Sequence, residues 1–218
     1  MNEKPFYIPT SRIEQFSDGV FSIIITLMVL QLKVPHFREG ATLQQNWQQL
    51  LKIAPNFISF FFSFIFIAVY WVNHHQLYQS IKQTDRKLLW HNIHLLFWLT
   101  IIPFPTAMVG ENPESALGVM CLAFVFLMAS LASYLMQRHA HFNADLMHEV
   151  LSARSKERPI KKSLLSIFLY IIIIVTAPFY LYTAYGLFAL AVGMFIVPPQ
   201  LNIKSKSSSS IKNKNHET

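Results

Sequence analysis

Apolar segments about as long as a bilayer-spanning helix recur along this chain of 218 residues, and they constrain its fold more than any other feature. They lie near residues 13–34, 54–73, 88–109, 115–137, 163–180 and 182–200. About 20 apolar residues cross the hydrocarbon core as a helix, so the pattern predicts an all-α integral membrane protein with six transmembrane helices per subunit. The fifth and sixth segments are separated only by the YLYTAY stretch. Read as one run they exceed any bilayer, and Pro178 supplies the break. Composition agrees, with 53% hydrophobic and 13% charged residues. A soluble domain of this length carries more charge.

Loop charges test the span count. With six spans, one side of the membrane holds fifteen of the eighteen Lys and Arg, and the other side only Lys33, Arg38 and Lys52. The positive-inside bias therefore puts both termini of a multi-pass membrane protein in the cytoplasm. A five-span chain would send the Lys-rich tail outside. The basic residues stand singly, without interleaved aromatics, so nucleic acid is not an expected partner. Cys121 is the only cysteine, which excludes an internal disulfide and a thiol metal cluster. No signal-peptide cleavage pattern precedes the first apolar stretch.

Residues 1–200 thus read as one transmembrane domain, and residues 201–218 as a basic, Ser-rich, disordered cytoplasmic tail near anionic headgroups. Between the first two spans, Leu43, Trp47, Leu50, Leu51 and Ala54 follow helical spacing among glutamines. That pattern predicts a short amphipathic helix at the outer interface. The segment from about 138 to 162 reads as a cytoplasmic extension of the fourth span plus a linker.

The most unusual segment is RIEQFSDGVFSIIITLMVLQLKV, residues 12–34. Arg12, Glu14, Gln15, Ser17 and Asp18 crowd the turns before an apolar run. At about 100° per residue, Arg12, Phe16, Gly19, Ile23, Leu27, Leu30 and Val34 share one stripe, with Thr26 at its edge. Ser17 and Asp18 point elsewhere. From periodicity alone the stripe is either lipid-facing or helix-packing surface, or the lining of a dry constriction that gates ions by dewetting. Ser17 and Asp18 either cap the helix or lie deeper, hydrogen-bonded to neighbouring helices. Asn73, His74 and His75 in WVNHH, and His91, Asn92 and His94 in WHNIH, are the matching partners, because all three helix ends share one leaflet.

Arg12…Phe16-Ser17-Asp18 followed by GVFSIIITLMVL resembles the RxxxFSD signature of the lysosomal potassium channel family, transmembrane protein one-seven-five, and its bacterial relatives. YWVNHH and LLFWLTIIPFPTAMVGE also look like that family's second and third helices. The resemblance implies a potassium-selective channel, with potassium as the permeant ion and no cofactor. Ile23, Leu27 and Leu30 of the first helix would form its hydrophobic constriction, in place of a TVGYG filter that this sequence lacks. It further implies a homotetramer around a central pore lined by the first helix, because this chain carries one repeat. In that setting Thr26 lies at the pore edge. Arg12, Phe16, Ser17 and Asp18 clamp helix geometry, with Glu14 or Asp18 of the same or a neighbouring subunit neutralising Arg12.

Other clusters add less. His91 and His94 share a helix face but have no carboxylate on that turn, so no metal site is expected. Asp85 and Glu149 read as solvated loop charges, and Glu111 as an outer-loop residue that is solvated or lines a vestibule. No nucleophile–base arrangement points to an enzyme. The runner-up class is a secondary transporter or proton pathway using Asp18 and the membrane histidines. No inverted repeat or broken-helix pair supports it.

Overall fold

The computed structural model describes residues 7–147 and 153–196, and within them the chain is all-helical. The helices are α1 (Thr10–Met28), α2 (Leu43–Lys52), α3 (Ala54–Gln79), α4 (Arg86–Ile101), α5 (Pro103–Glu111), α6 (Ala116–Phe142), α7 (Ala153–Thr176) and α8 (Leu181–Ile196). Glu149 and the tail 201–218 lie outside the described residues.

Five helical stretches among the described residues are long and apolar enough to cross a membrane: 10–31, 54–79, 86–111, 116–142 and 159–176. The sixth expected span, α8, is apolar but has 16 residues. At 1.5 Å per residue its described part is about 24 Å long, and the expected span runs on to residue 200, outside the described residues. The break before it falls at 177–180, around Pro178, and not in YLYTAY, most of which is helical. The third span is interrupted. Pro103 and Pro105 lack the amide hydrogens that an interior turn needs, and Ile102 N tightens onto Leu99 O at 3.2 Å. The fourth span does extend beyond its apolar core, to Phe142.

The interfacial helix forms as expected. Thr42 and Gln45 make a reciprocal capping box at its start, satisfying two backbone donors. Its apolar residues remain uncovered, with Leu43, Trp47 and Leu51 exposed.

α6 forms the centre of the bundle, packed mainly against α7 and α4. Ala129, Ala132, Ser133, Met136 and Ala140 are all buried on it, at helical spacing. Lipid offers no hydrophobic drive between helices, so small residues that permit close backbone approach hold such an interface. Phe66, Phe126, Tyr170 and Phe188 join α3, α6, α7 and α8 as one aromatic cluster, with Phe66 and Phe126 centroids 4.4 Å apart. At one end of the bundle the chain ties its loops together: Ile8 bridges Thr84, and Lys82 N donates to Leu146 O at 2.7 Å. Asp85 is not simply solvated. It caps α4 by accepting from Leu88 N at 2.8 Å, and it pairs with His139 of α6 at 2.8 Å.

Gly110 sets how closely α5 approaches α3. A Cβ there would lie 2.7 Å from Ser59 Oγ and 2.9 Å from Asn56 Cα. Because backbone cannot yield cheaply, Gly110→Ala is expected to cost about 1–3 kcal/mol of stability. Gly186→Ala, with nothing within 4 Å of its Cβ, is expected to unfold at or above the wild-type temperature. Thermal unfolding in detergent compares the two; equal behaviour would remove the close approach as a packing constraint.

Candidate functional site

α1 has a buried face, an exposed face and a polar edge. Ile13, Ser17, Phe21, Ile24 and Met28 are buried at spacings of three and four residues. Arg12, Phe16, Gly19, Ile23, Thr26, Leu27 and Leu30 all lie on the exposed side. Ile23 is 58% exposed, Leu27 48% and Leu30 76%. The expected stripe therefore exists as a contiguous surface that the other described residues leave uncovered. α1 passes into a single 3₁₀ turn, Val29–Gln31, and becomes extended at Leu32.

The polarity before the apolar run resolves into three contacts. Ser17, fully buried, donates to Ile13 O at 2.8 Å and accepts from Asn92 Nδ2 at 2.9 Å. Asn92 Oδ1 in turn lies 2.8 Å from His74 Nε2. An amide oxygen only accepts, so His74 carries its proton on Nε2, and the chain runs from His74 through Asn92 and Ser17 to a backbone carbonyl. His74 Nδ1 and Tyr78 Oη are buried, with no hydrogen-bond partner among the described residues. The two rings stack with centroids 4.4 Å apart, and Phe21 meets His74 edge-on at 5.5 Å.

Asp18 Oδ1 accepts from the indole Nε1 of Trp71 at 2.9 Å. Glu14 Oε1 lies 2.9 Å from His75 Nδ1. His75 Nε2 accepts from Gln79 at 2.9 Å, while its Nδ1 approaches the carboxylate without hydrogen-bond geometry. α1 is thus joined to α3 and α4 by Glu14, Ser17 and Asp18, all within five consecutive residues.

Several expected assignments change here. Within the chain Glu14 and Asp18 both turn to α3, and among the described residues Arg12 has no ion pair. Arg12 and Phe16 face outward with the exposed stripe and do not belong to the clamp inside the protomer. Asn73, His91 and His94 are not brought to α1. Asn73 lines a small pocket with Tyr70 and Ser130, His91 packs against His139, and His94 accepts from Trp98 at 2.9 Å. Trp71 as donor to Asp18 has one signal legible in the sequence: it lies three residues before His74 on the same helix. No cluster of three or more metal-ligating side chains occurs among the described residues.

Thr26 is exposed, with its hydroxyl 3.0 Å from Ser22 O and 2.9 Å from Ile23 O; Ser22 likewise donates to Asp18 O at 2.8 Å. Hydroxyls that donate to their own helix present lone pairs outward. At the far end of α1, Lys33 pairs with Glu111 at 2.9 Å, which ties that end to α5.

If hydrogen bonding and not net charge holds α1, Asp18→Asn should keep the Trp71 bond and unfold within about 0.5 kcal/mol of wild type. Asn92→Ala, which strands the buried His74 N–H, should lose about 1–3 kcal/mol. Thermal unfolding in micelles measures both, and a loss for Asp18→Asn as large as for Asp18→Ala would show that the charge matters instead.

Comparison with known proteins bears on this arrangement. A sequence model of the family described as endosomal/lysosomal potassium channel TMEM175 matches residues 12–103. A potassium channel of Chryseobacterium sp. is 36% identical over 199 residues, spanning 89% of this chain and 96% of that protein. The crystal structure of a lysosomal potassium-selective channel TMEM175 homolog from Chamaesiphon minutus superposes with a TM-score of 0.73. It is 30% identical and covers 86% of this chain and 96% of that one. The zebrafish endosomal/lysosomal proton channel TMEM175 is 24% identical over 72% of this chain, which spans 30% of that longer protein.

Proposed function

This chain belongs to the TMEM175 potassium channel family, and from that premise we propose that it forms a potassium-selective channel in the bacterial plasma membrane. Four copies surround a central pore lined by α1, and both termini are cytoplasmic. Ile23, Leu27 and Leu30 form a hydrophobic constriction that takes the place of a carbonyl filter.

The observation that carries this reading is the exposed face of α1. It is neither apolar throughout, as a lipid-facing surface would be, nor covered by the other described residues. Ser22 and Thr26 lie exposed beside Ile23 and Leu27, and Arg12 lies at one end. Polar groups at this depth belong against a water-filled cavity or another helix. Four such faces around an axis give hydroxyl acceptors next to an apolar ring. An apolar ring supplies no ligands to replace hydration water, so a weakly hydrated cation crosses it at lower cost. The order expected is potassium, rubidium and caesium above sodium, with divalents excluded.

The transporter or proton-pathway reading draws on the naming of the zebrafish relative as a proton channel. The geometry around Asp18 gives it less support. The His74–Asn92–Ser17 chain ends on the Ile13 carbonyl, and the Trp71 indole N–H that meets Asp18 donates but does not accept. Neither forms a relay.

Ile23→Ala and Ile23→Asn should widen or wet the ring and lower potassium-over-sodium preference several-fold. Reversal potentials of reconstituted protein under opposed potassium and sodium would then move toward zero. Wild-type potentials in both variants would remove Ile23 from the filter. Proton flux into dye-loaded vesicles, with potassium clamped by an ionophore, tests the other reading.

A further inference from the structure

An apolar cavity of about 350 Å³ lies between α3, α5, α6 and α8, and no residue of α1 lines it. It is more than twice the ~150 Å³ of an engineered apolar cavity that stays dry and takes up benzene. Ile58, Phe62, Leu122, Phe126, Phe188 and Ala189 give it walls that are almost wholly hydrocarbon.

Three features restrict what can occupy it. The hydroxyls at its edge are already engaged: Ser59 donates to Asn56 O at 3.1 Å, and Ser63 Oγ lies 2.8 Å from Thr106 Oγ1. Nothing there calls for water or a polar ligand. One side is formed by Phe66, Phe126 and Phe188 of the aromatic cluster, whose mutual packing resists collapse into the space. At the end where α5 passes into α6, Tyr185 Oη donates to Pro113 O at 2.7 Å, and both residues line the cavity. That bond ties α8 to the α5–α6 connection at this end.

The exposed approach is sideways. Ile58 is 57% exposed and Phe62 38%, and Ala189 is exposed on α8. These residues lie within apolar helices, where the surrounding solvent is lipid tails. We propose that this cavity binds one acyl chain of a membrane phospholipid, admitted laterally between α3 and α8. With no charged residue in the lining, the site reads the chain and not the headgroup.

Photocrosslinking tests this on full-length protein in phosphatidylcholine vesicles doped with phosphatidylcholine that bears a mid-chain diazirine. Irradiation should concentrate adducts on residues 55–66 and 185–189. Ala189→Leu and Ala189→Trp, which fill the cavity from an exposed position without disturbing the core, should lower that labelling progressively, to a several-fold loss. Leu190→Trp, on the neighbouring exposed position outside the lining, should leave it at the wild-type level. Replacing the doped lipid by phosphatidylglycerol with the same chain should not change the pattern. Uniform labelling over the exposed faces of α3 and α8, or wild-type labelling of Ala189→Trp, would overturn the proposal. Preference for one headgroup would overturn its chain-only character. The readout is independent of ion conduction.

Discussion

The rest of the structure depends on the burial of Ser17, Asn92 and His74 where α1 meets α3 and α4. A polar group placed there has only other side chains or backbone for partners. Ser17, Asn92 and His74 answer one another in a directed chain, and each is almost fully buried. That chain fixes the rotation of α1 about its own axis. A rotation of one residue, about 100°, would strand the Asn92 amide and turn Ser17 away. Asp18 on Trp71 and Glu14 beside His75 repeat the attachment on either side, so three successive points hold one helix edge.

The fixed rotation explains why the apolar stripe stays exposed. With Ile13, Phe21, Ile24 and Met28 committed to the core, Ile23, Leu27 and Leu30 have no place inside the protomer. The far end of the helix is secured separately, by Lys33 on Glu111, just where α1 loosens into a 3₁₀ turn. In the proposed channel, a ring of side chains narrow enough to dewet needs such support, because a small tilt of each helix changes the gap at the axis. The support comes from α5, itself positioned by the proline break and by Gly110 against α3.

Beneath α1 the bundle relies on two kinds of packing. Small residues let α6 approach its neighbours closely, and an aromatic cluster fills the junction of four helices. The same rings form one side of the apolar cavity, so that space results from rigid packing around it and not from a missing side chain. α1 does not touch it, which separates the lipid-facing scaffold from the proposed conduction path.

Much of this was legible in the sequence. Bilayer thickness fixes span length, so apolar runs located the helices, and the 3.6-residue period placed Arg12, Phe16, Ile23, Leu27 and Leu30 on one face. Ser17 and Asp18 read correctly as facing other helices, since a polar residue inside a span must find a partner. Which partner it finds is another matter. WVNHH and WHNIH present six polar or ionisable side chains within one helical turn each, and period alone does not say which of them meets α1. Only helix crossing and rotation chose His74, Asn92, Trp71 and His75, and left Asn73, His91 and His94 to other neighbours. The same holds for Arg12: its place on the stripe follows from numbering, but the commitment of Glu14 and Asp18 to α3 depends on distances between helices far apart in the chain. The sequence by itself determined the helices and their faces, because those follow from local geometry and transfer energy. The tertiary structure decided the pairings and the cavity, because those arise from how rigid helices fit together.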